Sequence, residues 1–312
     1  MSLPSVMVVI LAGGLGTRLR PLTNHRPKPT LPVLGQPMLF DLLDQLDTSW
    51  IHSIICTVSY GAQEFEKILS SRNDPRIQIV TEQEPLGTGG ALAALDSVST
   101  ERVLVFNGDT SLHIDLAAFY RFHLEQQAQA SLACVRVEHC ERYGKVELKG
   151  EGQVSRFVEK DNSQSGSGWV NAGAYLLEPS VWESRPSQRK FSLERDLFGN
   201  LDQQRFFGWR SDGHFIDLGT PQSYLQSNLS GIQVHPTAIV HPTAKLESSV
   251  WIGANCKVGP GVILKDCMLD DGAEVEANSH LEQSILGRSV TIARGSKFVQ
   301  KILVEGEASE CF

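Results

Sequence analysis

Apolar residues run along this chain in two rhythms, and the change between them comes near residue 230. Before it, short apolar runs at 6–11, 53–58, 76–80 and 102–106 have the length and branched content of buried strands. Around them, 38–46, 62–69, 89–95 and 116–126 space their apolar residues three and four apart, which predicts helices. Strands alternating with helices predict an α/β unit with a Rossmann-like, mainly parallel sheet covered on both faces. Ligands of such sheets gather beyond the carboxyl ends of the strands, so the loops after Leu11 and Phe106 are the first candidates for a site. From 131 to 177 the runs crowd into closely spaced strands, the last over 169–177. The Ser- and Gly-rich stretch 161–168 reads as a surface loop between two of them.

Beyond 230 an apolar residue recurs every six positions: Val234, Val240, Leu246, Ile252, Val258 and Leu264. One five-residue step leads to Leu269, Val275 and Leu281, and a second to Leu286, Ile292 and Phe298. Small and turn-forming residues lie between, including His-Pro-Thr-Ala written twice. Six fits neither a helix nor an extended strand. It is the period of a hexapeptide-repeat parallel β-helix, in which three short faces make one coil and stacked coils share a core. Twelve rungs make about four coils. The two short steps lie 17 residues apart, one coil, and are expected to shorten the same corner in successive turns. The expected division is therefore 1–230 and 231–312.

At 312 residues the chain exceeds one ordinary domain, and its 41% hydrophobic content excludes a mostly disordered protein. The longest apolar run, 6–12, is far short of a membrane span, so no membrane partner is expected. Six cysteines without a Cys-x-x-Cys give neither a disulfide framework nor a structural zinc site. The opening residues lack the basic start of a secretory signal, and a reduced, cytoplasmic compartment is expected.

The net charge of −8 argues against a general nucleic-acid binder, yet it is unevenly spread. Residues 1–40 hold Arg18, Arg20, Arg26 and Lys28 and no acid, so +4 lies there and −12 over the remaining 272 residues. A basic loop on an acidic protein suits a small anionic ligand better than a polyanion.

That loop reads LAGGLGTRLRPLTNHRPKP over 11–29. A dinucleotide-binding G-x-G-x-x-G fails at its last glycine, and no G-x-x-x-x-G-K-S/T occurs in the chain. What remains is a glycine-rich turn after a buried strand, where backbone N–H groups can approach a nucleotide closely. Arg18 adds a planar fork of donors suited to phosphate oxygens, and Lys28 a second cation between two prolines. A tight strand–helix turn with solvated basic residues would explain the glycines alone. It does not explain glycines followed by Arg18 and a Pro-Lys-Pro ten residues on.

These residues resemble the opening signature of the sugar-1-phosphate nucleotidyltransferases, G-G-x-G-T-R-L-x-P-x-T followed by P-K-P. Further matches follow in family order over most of 6–230: EPLGTGGAL (84–92), FNGD (106–109), RYGKV (142–146), FVEK (157–160), NAGAYL (171–176) and FIDLGTP (215–221). An appended left-handed β-helix also recurs in several branches of this family.

The resemblance implies that a sugar-1-phosphate oxygen attacks the α-phosphorus of a nucleoside triphosphate and expels pyrophosphate. Positioning and charge neutralisation then dominate catalysis. Asp109 and Asp217 match the family's carboxylates for Mg²⁺. Leu11, Ala12, Gly13, Gly14, Gly16, Thr17 and Asn107 would line the nucleotide, with Arg18 and Lys28 neutralising the triphosphate. Gly87, Thr88 and Gly89 would lie close to base and ribose, where side chains would collide. Lys160 would bind the sugar phosphate, and Gly144, Glu159 and Asn171 would contact the sugar.

Glu82 aligns with the family position whose side chain often hydrogen-bonds the base. A carboxylate only accepts, which suits the two adjacent donors of guanine, although uracil and thymine each offer one. The run EPLGTGGA, with RYG (142–144) and FSLE (191–194), looks most like the guanylyltransferases for mannose-type and heptose 1-phosphates, which ranks GTP first and leaves UTP and dTTP open.

Two readings of other classes compete. A nucleotide-sugar sensor would not need both metal carboxylates. An acyltransferase in the β-helix would use His235, His241 or His280, but the first two sit before proline in repeated corners, which reads as turn architecture. The β-helix is expected instead to contribute contacts in a homo-oligomer.

Overall fold

The computed structural model describes residues 3–95, 101–140, 143–158 and 166–311. They form two compact units, one of residues 1–14 and 41–216, the other of 15–40 and 217–312. This division differs from a single cut at 230, because the basic segment 15–40 joins the C-terminal unit.

Among the described residues the main sheet of the first unit has nine strands: β1 (Val6–Leu11), β2 (Ile51–Val58), β3 (Ile77–Thr81), β4 (Val103–Asn107), β5 (Ala130–Val137), β6 (Lys145–Lys149), β7 (Gln153–Val158), β8 (Gly168–Leu177) and β9 (Phe206–Ser211). Their order is β3-β2-β1-β4-β8-β5-β9-β7-β6. The pairs among β3, β2, β1 and β4 are parallel, as the alternation with helices predicts. The expectation of a mainly parallel sheet is corrected beyond β4. There β8 runs antiparallel to β4 and to β5, and β7 antiparallel to β6 and β9; only β9 on β5 is parallel. The cause lies in the connections. Strands β6 and β7 are joined by a tight turn in which Gly150 and Gly152 take positive φ, and a short turn can only reverse the chain.

Four helices in this region fall where the spacing predicts them: α1 (Met38–Gln45), α2 (Ala62–Leu69), α3 (Gly87–Ala93) and α4 (Leu116–Glu125). In α4 the buried residues Leu116, Phe119, Tyr120 and His123 recur at helical spacing, and the Asp115 carboxylate caps the first turn by accepting from Ala118 N–H at 2.8 Å. The core alternates along the strands, with Met7, Val9, Val103, Val105, Leu132, Tyr175 and Leu177 on one face.

In the second unit the six-residue rhythm becomes a stack of parallel strands. Val234, Ile252, Leu269 and Leu286 pair in one column, Val240, Val258, Val275 and Ile292 in a second, and Leu246, Leu264, Leu281 and Phe298 in a third. Every expected rung lies in register, and a thirteenth, Leu303, extends the first column one short step past Phe298. An antiparallel strand, Glu307–Glu310, closes the end.

The corners explain the sequence between rungs. Ser248, Asp266, Gln283 and Gln300 hold positive φ at one corner, Asn255, Gly272 and Ser289 at the next, and Gly261, Asn278 and Gly295 at the third. Glycine and asparagine tolerate this conformation best, and every residue at these corners is glycine or polar. The five-residue steps pass through Asp266 and Gln283, so both shorten the same corner. The two His-Pro-Thr-Ala copies are turns, in which the Nδ1 atoms of His235 and His241 accept from the N–H groups of Thr237 and Thr243 at 3.2 Å.

Helix α5 (Pro221–Asn228) precedes the stack. A reciprocal cap between Thr220 and Ser223 starts it, with Pro221 in its first turn. Among the described residues no helix is long and apolar enough to cross a membrane.

Candidate active site

In the first unit the loops after β1 and β4 are tied together at the strand ends. The Leu11 carbonyl accepts from Gly108 N–H at 2.9 Å, and Ala12 N–H donates to the Thr57 carbonyl at 2.9 Å. The Ser59 hydroxyl donates to the Gly13 carbonyl. A Cβ on Gly13 would stand 2.9 Å from Glu82 Oε1, so the bare backbone lets that carboxylate lie against the loop where it stands. Gly14 differs: a Cβ there would meet nothing within 4 Å, so no packing inside the chain demands this glycine.

Asn107 ends β4 with its Oδ1 buried and without a hydrogen-bond partner among the described residues. Such an orphaned acceptor is unusual in a folded chain and marks a place where an external donor would be welcome. Asp109 follows two positions later, half-buried, in the turn before the short strand Thr110–His113.

Glu82 follows β3, and its other carboxylate oxygen accepts from Leu86 N–H at 3.0 Å, just before α3. The family resemblance implies that Gly87 and Gly89 lie close to base and ribose; the structure shows a further demand for bare backbone at both. A Cβ on Gly87, whose φ is +75°, would lie 2.6 Å from the Phe191 carbonyl oxygen, and one on Gly89 would lie 2.2 Å from the Phe191 ring. These glycines let α3 pack against the chain's own segment around Phe191. Thr88 is also engaged internally, accepting from Leu193 N–H and donating to Glu194, each at 2.9 Å.

Glu194, which the sequence offers only as part of the 191–194 segment and without a role of its own, is the centre of a network. Its carboxylate also accepts from Ser192 at 2.7 Å and from the Tyr175 hydroxyl at 2.9 Å. Burial, and then the Glu194 charge, push the Tyr175 phenol well above its usual range. Tyr175 in turn accepts from Asn171 Nδ2 at 2.8 Å, and the Asn171 amide oxygen accepts from Gly173 N–H at 2.9 Å. Asn171 N–H donates to the Gly144 carbonyl at 2.9 Å, which brings those two sugar-site candidates together. Glu159 and Lys160, the remaining two, lie outside the described residues. The local motif 191–194 does not reveal this role, because Thr88 and Tyr175 lie elsewhere in the chain.

The second unit carries the cationic half of the candidates. Gly16, with φ +58°, turns the chain into a short 3₁₀ turn at Thr17–Leu19, and the Thr23 hydroxyl fixes the bend by donating to the Gly16 carbonyl at 2.8 Å. Arg18 projects from this turn with half its side chain exposed. Lys28 opens a second 3₁₀ turn, Lys28–Thr30, and is only 3% exposed. Lysines are seldom buried to this degree without a partner. Asp217 faces both cations, its Oδ1 4.0 Å from Lys28 Nζ and its Oδ2 4.0 Å from Arg18 Nη1. Gly219 leaves room for this group, since a Cβ there would lie 2.5 Å from Arg18 Nη2.

Among the described residues no three His, Cys, Asp or Glu side chains converge as a ready metal cage. A carboxylate that touches its cations at the limit of ion pairing keeps lone pairs for a hard cation. Mg²⁺ itself is usually held by one or two carboxylates together with water and substrate phosphates. The donor set fits that pattern.

Comparison with known proteins identifies the family. The family model described as nucleotidyl transferase matches residues 7–233, and one described as the GMPPB C-terminal domain matches 229–311. A mannose-1-phosphate guanylyltransferase of Mycobacterium tuberculosis is 33% identical over 91% of this chain and 85% of its own. A D-glycero-alpha-D-manno-heptose 1-phosphate guanylyltransferase of Aneurinibacillus thermoaerophilus is 35% identical over 69% of this chain and 94% of its own. The crystal structure of HddC from Yersinia pseudotuberculosis complexed with GMP-PN is similar with a TM-score of 0.61 and 31% identity, over 71% of this chain and 97% of that one. From the strand-end loops, the cation–carboxylate group and these matches together, the chain belongs to the nucleotidyl transferase family.

Proposed function

We propose that this protein is a sugar-1-phosphate guanylyltransferase, joining GTP and a manno-configured sugar 1-phosphate into a GDP-sugar with release of pyrophosphate. The observation that carries the reading is the buried Lys28 and exposed Arg18 on either side of Asp217. Such a group serves a polyphosphate with its cations and a divalent metal with its carboxylate. The relatives named for mannose and heptose 1-phosphates support the substrate class.

An oxygen of the sugar phosphate attacks the α-phosphorus of GTP, the bond to the bridging oxygen breaks, and pyrophosphate leaves with the negative charge. Arg18 and Lys28 stabilise that leaving charge, and the backbone from Leu11 to Thr17 holds the triphosphate in line. The Glu82 carboxylate accepts from guanine N1–H and the exocyclic amine. Asn171 and Gly144 orient the sugar together with Glu159, while Lys160 offsets the repulsion between the two anions. Asp109 and Asp217 would hold Mg²⁺, which when bound neutralises phosphate charge.

We read 231–312 as a left-handed parallel β-helix, supported by the six-residue period and the positive-φ corners. Its first coil leaves Ile232, Val234 and Ile239 exposed, and these support a homo-oligomer in which a second copy covers them. A monomer by light scattering at micromolar concentration contradicts that reading. Six buried, unpaired thiols suit a cytoplasmic setting.

Four nucleoside triphosphates, each tested with mannose, heptose and glucose 1-phosphates for pyrophosphate release, test the activity. Turnover is expected with GTP and a manno-configured partner. Silence across the panel overturns the proposal, and preference for UTP or dTTP overturns its base assignment.

A further inference from the structure

Segment 15–40 has little regular structure to hold its shape: two 3₁₀ turns and the two-residue strand pair of Pro32–Val33 with Gln36–Pro37, before α1 begins. Its conformation therefore depends on what it packs against within its own unit, and that is α5 and the stacked coils. The Tyr224 hydroxyl donates to the Pro32 carbonyl at 2.8 Å, and Asn228 Oδ1 accepts from Leu34 N–H at 2.8 Å. Gly35 lies on the Trp251 ring, 3.6 Å from where a Cβ would stand. Asn24 Nδ2 donates to Glu307 at 3.0 Å.

One of these ties is ionic. Arg26 Nη1 donates to Asp270 Oδ2 at 2.7 Å, while Nη2 of the same guanidinium donates to the Thr30 carbonyl at 2.7 Å. Asp270 follows rung Leu269 and is 5% exposed; its other oxygen accepts from Asp271 N–H at 2.8 Å. Thr30 closes the turn that Lys28 opens. One rigid, planar side chain thus bridges a carboxylate of the coiled stack and the turn that presents Lys28.

We infer that Asp270, through Arg26, is a positioning residue for Lys28, so that the coiled domain sets the geometry of the triphosphate-binding loop as well as any subunit contacts. The inference rests on the proposed role of Lys28. A surface ion pair would be a weak device, but here both partners are largely withdrawn from water, and removing either one breaks a buried pair. The sequence offers no hint of it, since the pair spans 244 positions.

The test uses the full chain and its Asp270→Asn, Arg26→Lys and Lys28→Ala variants. Arg26→Lys keeps the charge but has one head group for two acceptors. Expected in Asp270→Asn is a fall of about tenfold or more in kcat/KM for GTP with KM for the sugar 1-phosphate within twofold, and a smaller fall in Arg26→Lys. Adding Asp270→Asn to Lys28→Ala should bring little further loss, because the effect passes through Lys28. Full additivity, or unchanged GTP kinetics in both single variants, overturns the inference.

A second readout needs no turnover: amine acetylation at limiting reagent, followed by mass spectrometry. Lys28 should be protected in the parent and labelled in Asp270→Asn, while Lys257 is labelled equally in both. Equal protection of Lys28 overturns the positioning role even if the parent proves inactive, which itself would count against the proposed function alone. Should Asp270→Asn not fold, Arg26→Lys carries both measurements.

Discussion

The Thr88 hydroxyl donates to the Glu194 carboxylate at 2.9 Å, joining α3 to a residue 106 positions away. Because Tyr175 and Ser192 donate to the same carboxylate, Glu194 links the turn at Thr88 to Asn171 through one shared acceptor. Glu194→Ala would leave the Tyr175 hydroxyl, buried on all sides, without its acceptor. Each stranded group costs roughly 1–3 kcal/mol. The expected result is a loss of about 2–4 kcal/mol in denaturant unfolding, with kcat/KM falling for both substrates. A variant as stable as the parent shows that the network is not strained by the loss.

Two glycines from the same sequence motif set should respond in opposite ways. Gly87→Ala adds a methyl 2.6 Å from a backbone oxygen at a φ of +75°, and strain with overpacking should cost about 2–4 kcal/mol. Gly14→Ala meets nothing within 4 Å, so its melting temperature should stay within a degree or two of the parent. If a triphosphate lies against Gly14, the KM for GTP rises about tenfold or more in that variant. An unchanged KM removes Gly14 from the binding surface.

What was legible in the sequence was whatever repeats or lies close along the chain. The rungs from Val234 to Phe298 could be placed one by one because each coil restates the last. β1 and α4 followed from local spacing. The reversal of β8 between β4 and β5 was hidden, since direction depends on connections that leave no apolar period. Equally hidden was the allegiance of 15–40 to the C-terminal unit, which rests on pairs such as Arg26 with Asp270. Within the candidate site, Arg18, Lys28 and Asp217 could be nominated because they sit in contiguous motifs. The segment holding Glu194 could be matched too, but not its role, which comes from partners brought to it by the fold.

Acid should weaken the first unit through His123. This ring is 1% exposed, with Nδ1 2.8 Å from the Ser131 hydroxyl and Nε2 3.1 Å from Glu178. Burial holds its pKa below the usual 6.5, outweighing the pull of Glu178, whose charge Arg102 already engages at 2.5 Å. A depressed folded pKa means that the unfolded chain takes up the proton first. Stability should therefore be complete above pH 6.5 and decline as pH falls from there through the lower folded pKa. His123→Gln lowers stability at every pH but should flatten that slope, as thermal melts between pH 5 and 7.5 would show. An equal slope in the variant assigns the acid sensitivity to other groups.

Asp217 offers a prediction whose sign is informative. Its carboxylate lies 4.0 Å from Lys28 Nζ and from Arg18 Nη1, a separation worth about 1 kcal/mol per pair in water and about 4 at an effective dielectric constant of 20. Asp217→Asn keeps the shape and removes the charge, leaving the two cations facing an incoming polyanion without their counter-charge. Metal-free GTP should then bind as tightly as to the parent, or more tightly, when titrated calorimetrically in EDTA. Turnover should nevertheless fall by about two orders of magnitude or more, and the Mg²⁺ concentration for half-maximal rate should rise. EDTA should abolish pyrophosphate release by the parent, with recovery on adding Mg²⁺. If Asp217→Asn weakens metal-free GTP binding, the carboxylate acts by holding Lys28 and Arg18 in place, and the metal belongs elsewhere. The two roles predict opposite changes in the same titration, so one measurement separates them.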